Sequence, residues 1–222
     1  MLTLADGKVI AYQMKLVAGE QSDKPHPGRA LPLLLALTDP IRAPDPFDAL
    51  ASLPAGAGLI WRAYDVAARR SDVLALARAA RARGCFLLIA GQPALAGAAD
   101  GLHLAEHMLN NPYTDRSSTR ARRPKPDYIV TAAAHGESAI IAAARAGVDA
   151  VLISPVFATR SHPGAAALGV TRFARLAQLA ASLGLGAYAL GGVTGDEKHR
   201  RLTGSGLTGI AGIDFFADTD QR

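Results

Sequence analysis

Two short glycine segments near the end of the chain are the first residues that indicate chemistry. Residues 190–194 read Leu-Gly-Gly-Val-Thr, and residues 209–212 read Gly-Ile-Ala-Gly. Glycine has no side chain, so a backbone N–H at such a position can approach a phosphate oxygen closely. A glycine pair of this kind also occurs in ordinary turns. The candidate phosphate-binding residues in the two segments are Gly191, Gly192, Ala211 and Gly212.

A polar segment over residues 153–164 offers further groups that suit an anion. Thr159 and Ser161 carry hydroxyl groups that can bind phosphate oxygens. Arg160 can hold the same oxygens with its planar guanidinium, and His162 can donate a hydrogen bond to an anion. The alternative is an exposed loop whose polarity is incidental.

Two histidines follow or interrupt apolar runs and are candidates for proton or charge chemistry. His135 precedes a Gly-Glu pair, where it either makes a structural hydrogen bond at the start of a helix or lines a pocket. His103 lies within a short apolar strand that follows the turn Asp100–Gly101, and alternation can point it inwards. Core packing with a satisfied hydrogen bond is the alternative for His103.

The elements that must position these residues alternate along the chain from residue 31 onward. Apolar runs bounded by turn residues predict strands, and segments with helical periodicity predict helices between them. One of these helices is predicted over 72–83, with Ser71 as its N-cap. The predicted strands cover 31–38, 58–64, 85–90, 100–104, 127–131, 148–153, 186–190 and 207–211.

Eight strands that alternate with helices predict a parallel sheet of the α/β class. A closed (β/α)8 TIM barrel and an open doubly wound sheet both fit that count. No glycine-rich fingerprint follows the first strand, which favours the barrel. We therefore predict a single barrel domain over residues 31–222 with a short last helix, preceded by an irregular N-terminal extension over 1–30. In such a barrel the two glycine segments end strands seven and eight, where phosphate commonly binds.

Composition excludes several function classes. Aromatic residues make up 5% of the chain, which argues against a stacking surface for nucleic acid. No apolar run reaches the length of about 18 residues that a membrane span needs. The single cysteine, Cys85, lies in an apolar run, and no secretory signal pattern is present, so we expect a cytoplasmic protein. A basic cluster over 116–125 is interpreted as a solvated loop.

Taken in order, these segments resemble thiamine phosphate synthase and the related thiazole tautomerase. The resemblance rests on residues 37–39, Arg62, and residues 99–104, 134–137, 155–161, 190–193 and 206–211. It implies that a hydroxymethylpyrimidine diphosphate loses its diphosphate and that the nitrogen of a thiazole phosphate captures the resulting cation. It makes these two phosphorylated molecules the expected partners and Mg²⁺ the expected cofactor. The expected catalytic residues are Arg62, His103, His135 and Arg160, together with His162, which stands where the family pattern has a lysine that contacts the diphosphate.

The chain departs from the family pattern where the resemblance places the magnesium ligands. The expected Asn-Asp pair at the end of strand three is replaced within residues 89–92, which read Ile-Ala-Gly-Gln. The second expected aspartate is Met108. Mg²⁺ prefers hard oxygen ligands, so these losses should cripple the site. Asp100 and Glu106 are weak candidates to replace them.

Three functions follow from this combination. The first is a divergent thiamine phosphate synthase, in which Arg62, Arg160 and His162 neutralise the diphosphate. The second is a non-catalytic or regulatory barrel that keeps only the phosphate-binding end. The third is an enzyme of the same scaffold that acts on another phosphorylated substrate, because fold does not fix function. A homodimer is compatible with each of them.

Overall fold

The structure is a computed structural model that describes residues 30–63, 68–109, 123–159 and 166–213. Its strands form one closed parallel barrel in chain order. Closure is made by the first and last strands, which pair at Leu34–Ile210, Leu35–Ala211 and Ala36–Gly212. The predicted barrel is confirmed and the open sheet is excluded. The strands are β1 (Leu34–Leu37), β2 (Gly58–Arg62), β3 (Phe86–Ala90), β4 (Gly101–Leu104), β5 (Ile129–Ala134), β6 (Ala150–Ile153), β7 (Gly186–Leu190) and β8 (Gly209–Gly212).

Helices connect most of the strands and cover the outside of the barrel. They are α1 (Pro46–Ala51), α2 (Arg70–Ala82), α3 (Pro93–Ala96), α4 (Glu137–Ala146), α5 (Gly169–Ser182) and α6 (Asp196–Arg201), and a 3₁₀ turn over Glu106–Met108 follows β4. The prediction of Ser71 as a helix cap is wrong. Helix α2 begins two residues earlier, with Arg69 as its N-cap, and the Asp72 carboxylate accepts the backbone N–H of Arg69 at 2.9 Å.

Strand residues alternate between the barrel interior and the layer beneath the helices. The interior is filled by large apolar side chains from every second position, including Leu35, Ile60, Leu88 and Leu152. The outward positions pack on the buried faces of the helices, such as Phe173 on α5. Most strands are therefore continuously apolar, as expected for a parallel sheet that is covered on both faces.

The amino end of the barrel is closed by Tyr188. Its side chain is fully buried, and its phenol donates a hydrogen bond to the Pro32 carbonyl at 2.6 Å. Burial raises the pKa of this phenol, so it remains a donor. Gly209 makes room for the ring, because a Cβ there would lie 2.9 Å from the Tyr188 ring and would collide with the Leu33 carbonyl.

Two further expectations from the sequence have structural outcomes. Cys85 is buried just before β3, where its thiol lies 3.3 Å from the Pro54 carbonyl and burial raises the thiol pKa. The basic cluster over 116–125 is described only from Arg123 onward. Arg123 is not a solvated side chain, because it forms a 2.8 Å ion pair with Asp149 that is mostly buried.

Other expectations fall on residues that the structure does not describe. The extension over 1–30, apart from its last residue, and the short last helix after residue 213 belong to this group. Within the described ranges, no helix combines the length and the apolar character that crossing a bilayer requires.

A substitution at Gly209 tests the packing at the amino end. We expect Gly209→Ala to lower the free energy of unfolding by about 1–3 kcal/mol, because its Cβ has no space between Leu33 and Tyr188. Gly97→Ala is the matched control, since a Cβ there meets no atom within 4 Å and the residue has φ −61°. It should be neutral or slightly stabilising. Urea unfolding measures both, and equal stability of the two variants would contradict the packing described here.

Candidate active site at the carboxyl end of the barrel

A small cavity, partly open to solvent, lies where the loops after β7 and β8 meet. All five of the predicted phosphate-binding residues that fall in described segments line it. Thr194, from the segment 190–194, lines it as well, and so do Arg42 and Ile213, of which the sequence had given no sign. The predicted members are Thr159, Gly191, Gly192, Ala211 and Gly212.

The glycines of the β7 loop have a second reason to be glycine. Gly191 and Gly192 have φ of +92° and +64°, which side chains disfavour. A Cβ on Gly192 would collide with the Ala158 carbonyl of the β6 loop. The two loops are joined by backbone hydrogen bonds from Val156 to Leu190 and from Phe157 to Gly191, at 2.9 and 3.0 Å. The wall of the cavity is therefore a tight contact between neighbouring loops.

Backbone donors and a lysine surround this contact. None of the hydrogen bonds among the described residues uses the N–H groups of Gly192 or Val193. Lys198 of α6 donates to the Gly192 carbonyl at 2.8 Å, and its ammonium lies 5.4 Å from the centre of the Phe157 ring. The positive charge of Lys198 thus lies beside the loop that carries the candidate phosphate ligands.

Arg62 lies inside the mouth of the barrel at the end of β2. Its backbone N–H donates to Thr38 Oγ1 at 2.8 Å, and its guanidinium lies 4.0 Å from the Asp39 carboxylate. Its register partner is Ala90 on β3, and the next partner along the same layer is His103 on β4. The small side chain of Ala90 separates the two larger ones. About 29% of the Arg62 side chain is exposed, so its charge can reach a ligand above the barrel.

His103 is a buried, neutral member of the interior. Its Nδ1 lies 2.9 Å from Thr131 Oγ1, which satisfies the ring within the barrel. Burial, helped by the positive charge of Arg62, lowers the pKa of His103 from 6.5 to about 4. The predicted inward orientation is confirmed. At neutral pH the ring is uncharged, so it can orient other groups but cannot neutralise a diphosphate.

His135 belongs to a small polar cluster where β4, β5 and β6 end. Its backbone N–H donates to Glu106 Oε2 at 2.8 Å. Its Nδ1 lies 2.9 Å from the Ser154 carbonyl, which can only accept, so Nδ1 carries a proton. Its Nε2 lies 3.9 Å from the same Glu106 carboxylate, and more than half of the side chain is exposed. These contacts fix the ring of His135 at the carboxyl end of the barrel.

Comparison with known proteins identifies the family to which the chain belongs. The sequence model of a family described as thiamine monophosphate synthase matches residues 51–216, which is well over half of the chain. The chain belongs to this family. The resemblance inferred from the motifs is confirmed.

Individual relatives support the same placement. A putative thiamine-phosphate synthase 2 of Aquifex aeolicus (strain VF5) is 34% identical over 125 residues, which are 56% of this chain and 61% of the relative. The chain thus matches about three fifths of that protein's length. The structure of a thiamine phosphate pyrophosphorylase from Pyrococcus furiosus superposes with a TM-score of 0.62 at 19% identity, covering 82% of this chain and 86% of that one.

The barrel itself is shared more widely than the family. A deoxyribose phosphate aldolase from Aeropyrum pernix superposes with a TM-score of 0.59 at 16% identity, covering 95% of this chain and 94% of that one. At such identities the likeness concerns the fold alone. The likeness therefore does not fix the function, which depends on the residues at the carboxyl end of the barrel.

Of the two weak candidates for replacement metal ligands, one lies at the wrong end of the barrel. Asp100 precedes β4, so it lies at the amino edge, where it pairs with Lys125 at 2.7 Å and accepts the Leu87 N–H at 3.1 Å. The suggestion of Asp100 as a metal ligand beside the substrates is therefore wrong. Arg160, Ser161 and His162 lie outside the described residues, and their roles stay predictions.

The described residues do not fit the magnesium site that the resemblance implies. Within those ranges, no three His, Cys, Asp or Glu side chains lie together as a metal-binding group. Glu106 remains at the carboxyl end, but its carboxylate accepts the His135 backbone N–H. Gln92, near the expected aspartate position, donates its side-chain amide to the Ala63 carbonyl at 2.8 Å.

The neutral state of His103 has a measurable consequence for stability. The unfolded chain binds a proton at this histidine more readily than the folded chain, so stability should fall as pH drops from 6.5 towards about 4. This single group should cost about 3 kcal/mol across that interval. His103→Gln keeps a hydrogen-bonding side chain without titrating, so its unfolding free energy should depend less on pH. An NMR signal of the His103 ring that titrates between pH 6 and 7 would contradict this.

Proposed function

We propose that this chain joins a hydroxymethylpyrimidine diphosphate to a thiazole phosphate and releases diphosphate, forming thiamine phosphate in thiamine biosynthesis. The observation that supports this proposal most directly is that one cavity is lined by the predicted phosphate-binding residues Thr159, Gly191, Gly192, Ala211 and Gly212. Family membership supports the same reaction. In the proposal, this cavity holds the phosphate of the thiazole.

The reaction needs one bond to break and one to form. The carbon–oxygen bond between the pyrimidine methylene and the diphosphate breaks, and its electron pair leaves on the diphosphate oxygen. The thiazole ring nitrogen then donates its lone pair to the methylene cation, which forms the carbon–nitrogen bond of the product. No proton is transferred in either step. The main task of the protein is therefore to hold two anions side by side and to stabilise the departing one.

The arrangement of charge supports two neighbouring anion sites. The Asp39 carboxylate lies between Arg42, at 3.1 Å, and Arg62, at 4.0 Å. Arg42 belongs to the cavity of the β7 and β8 loops, whereas Arg62 faces the barrel interior beside His103. In the proposal, the diphosphate departs on the Arg62 side. Neutral His103 and Thr131 form the floor beneath it, and His135 lies at the rim.

A turnover assay tests the reaction itself. Purified protein is incubated with the two precursors, with and without Mg²⁺, and thiamine phosphate and diphosphate are measured. We expect both products in equal amounts. Absence of product under both conditions would reject the enzymatic proposal.

The same preparation separates the alternatives if turnover fails. Calorimetric binding of thiazole phosphate without turnover would indicate the non-catalytic phosphate-binding barrel or an enzyme with another phosphorylated substrate. Absence of both binding and turnover would reject the phosphate site as well.

Arg62 should matter for the departing diphosphate. We expect Arg62→Gln to lower kcat/KM for the pyrimidine diphosphate about 100-fold, because a preorganised charge beside the leaving group is lost. The KM for the thiazole phosphate should change little. Arg78→Gln removes the same charge from the exposed surface of α2 and is the control. An Arg62 variant that keeps full kcat/KM would contradict this assignment.

A further inference from the structure

Arg42 reaches the candidate phosphate cavity from the opposite end of the chain. It follows β1, whereas the glycines of the cavity follow β7 and β8. The pairing of Ala36 with Gly212 places the end of β1 directly beside the end of β8. The loop after β1 therefore has to pass the cavity, and Arg42 is the cationic side chain among the described residues that line it.

The turn that carries Arg42 is held by Asp39. One carboxylate oxygen accepts the backbone N–H groups of Ile41 and Arg42, both at 3.1 Å. The other oxygen accepts from the guanidinium of Arg42 at 3.1 Å. Two backbone hydrogen bonds of 3.0 Å between Asp39 and Ala43 close the same turn. The backbone and the side chain of Arg42 are therefore both fixed by one carboxylate.

This carboxylate remains charged at neutral pH. Burial alone would raise the pKa of Asp39, but the hydrogen bonds from Arg42 and the backbone N–H of Ile41 outweigh it and lower that pKa. The Arg42 side chain is 26% exposed, so it is partly buried but still accessible to a ligand. A guanidinium has five N–H donors, which allows one arginine to be held by a carboxylate and to bind an anion at the same time.

We propose that Arg42 binds the substrate phosphate across the β1–β8 seam and makes the site select a phosphate monoester over the corresponding alcohol. The proposal rests on the phosphate end of the proposed function and does not require the chemical step. A backbone donor set alone binds an anion through partial charges, whereas a guanidinium adds a full charge and a planar fork. A held arginine also loses less conformational freedom on binding than a free one.

Direct binding to the intact chain tests this proposal. Calorimetry with inorganic phosphate and with thiazole phosphate compares the wild type with Arg42→Gln and Arg42→Lys. We expect the affinity for both ligands to fall about 10- to 100-fold in Arg42→Gln, which is the usual effect of losing a charged hydrogen bond. Arg42→Lys should lie between the two, because it keeps the charge and loses the fork.

The ratio of the affinities for thiazole phosphate and thiazole alcohol distinguishes phosphate binding from a purely structural role of Arg42, because a structural role would leave this ratio unchanged. Binding of the thiazole alcohol should be equal in the wild type and in Arg42→Gln, so the ratio of phosphate to alcohol affinity should collapse. Arg78→Gln is the matched control and should keep the wild-type ratio, because Arg78 is exposed on α2, outside the residues lining the cavity. An unchanged unfolding midpoint in Arg42→Gln shows that the loss is local.

The outcomes separate this inference from the proposed reaction. Phosphate binding that depends on Arg42 in a protein without turnover would support the inference and reject the reaction. Turnover with an unchanged KM for thiazole phosphate in Arg42→Gln would reject the inference and keep the reaction. A wild type that binds neither phosphate nor thiazole phosphate would overturn the inference as well.

Discussion

The hydrogen bonds between β1 and β8 are the constraint on which the rest of this structure depends. They turn a row of strands into a ring, and they make the first strand a neighbour of the last. In an open sheet with the strands in chain order, Asp39 and Gly212 would lie at opposite edges. In the ring, Arg42, which Asp39 holds, lines one cavity together with Gly212. The distribution of charge at the carboxyl end is thus a consequence of closure.

Glycine serves structure and ligand chemistry at the same positions. Gly192 allows the β7 loop to touch the Ala158 carbonyl, and the same backbone lines the cavity. Gly209, at the opposite end, makes room for Tyr188 and has no part in the cavity. A glycine in a barrel strand or loop therefore does not by itself mark a ligand site. Its position relative to the carboxyl edge of the strands decides whether it serves packing or a ligand site.

The sequence predicted the barrel and the main wall of the cavity because both follow from local patterns. Apolar strands alternate with helices, and residues that follow parallel strands meet at one edge. Thr159 and Gly191 could therefore be predicted from the sequence to lie at the same site. Arg42 could not be found this way, because its place depends on the Asp39 turn and on closure. Asp100 was suggested as a metal ligand because of its residue type, but it precedes β4 and therefore lies at the amino edge. The neutrality of His103 depends on burial and on Arg62, which no spacing reveals.

Tyr188 gives the barrel a floor. With its ring buried and its phenol hydrogen-bonded to Pro32, it adds to the apolar side chains that fill the interior, so the barrel is packed and is not a hollow tube. A ligand of this barrel therefore rests on top of a packed core, in contact with the loops at the carboxyl edge and not with the amino end. Substitutions in those loops can change what is bound without disturbing the side chains that hold the barrel together.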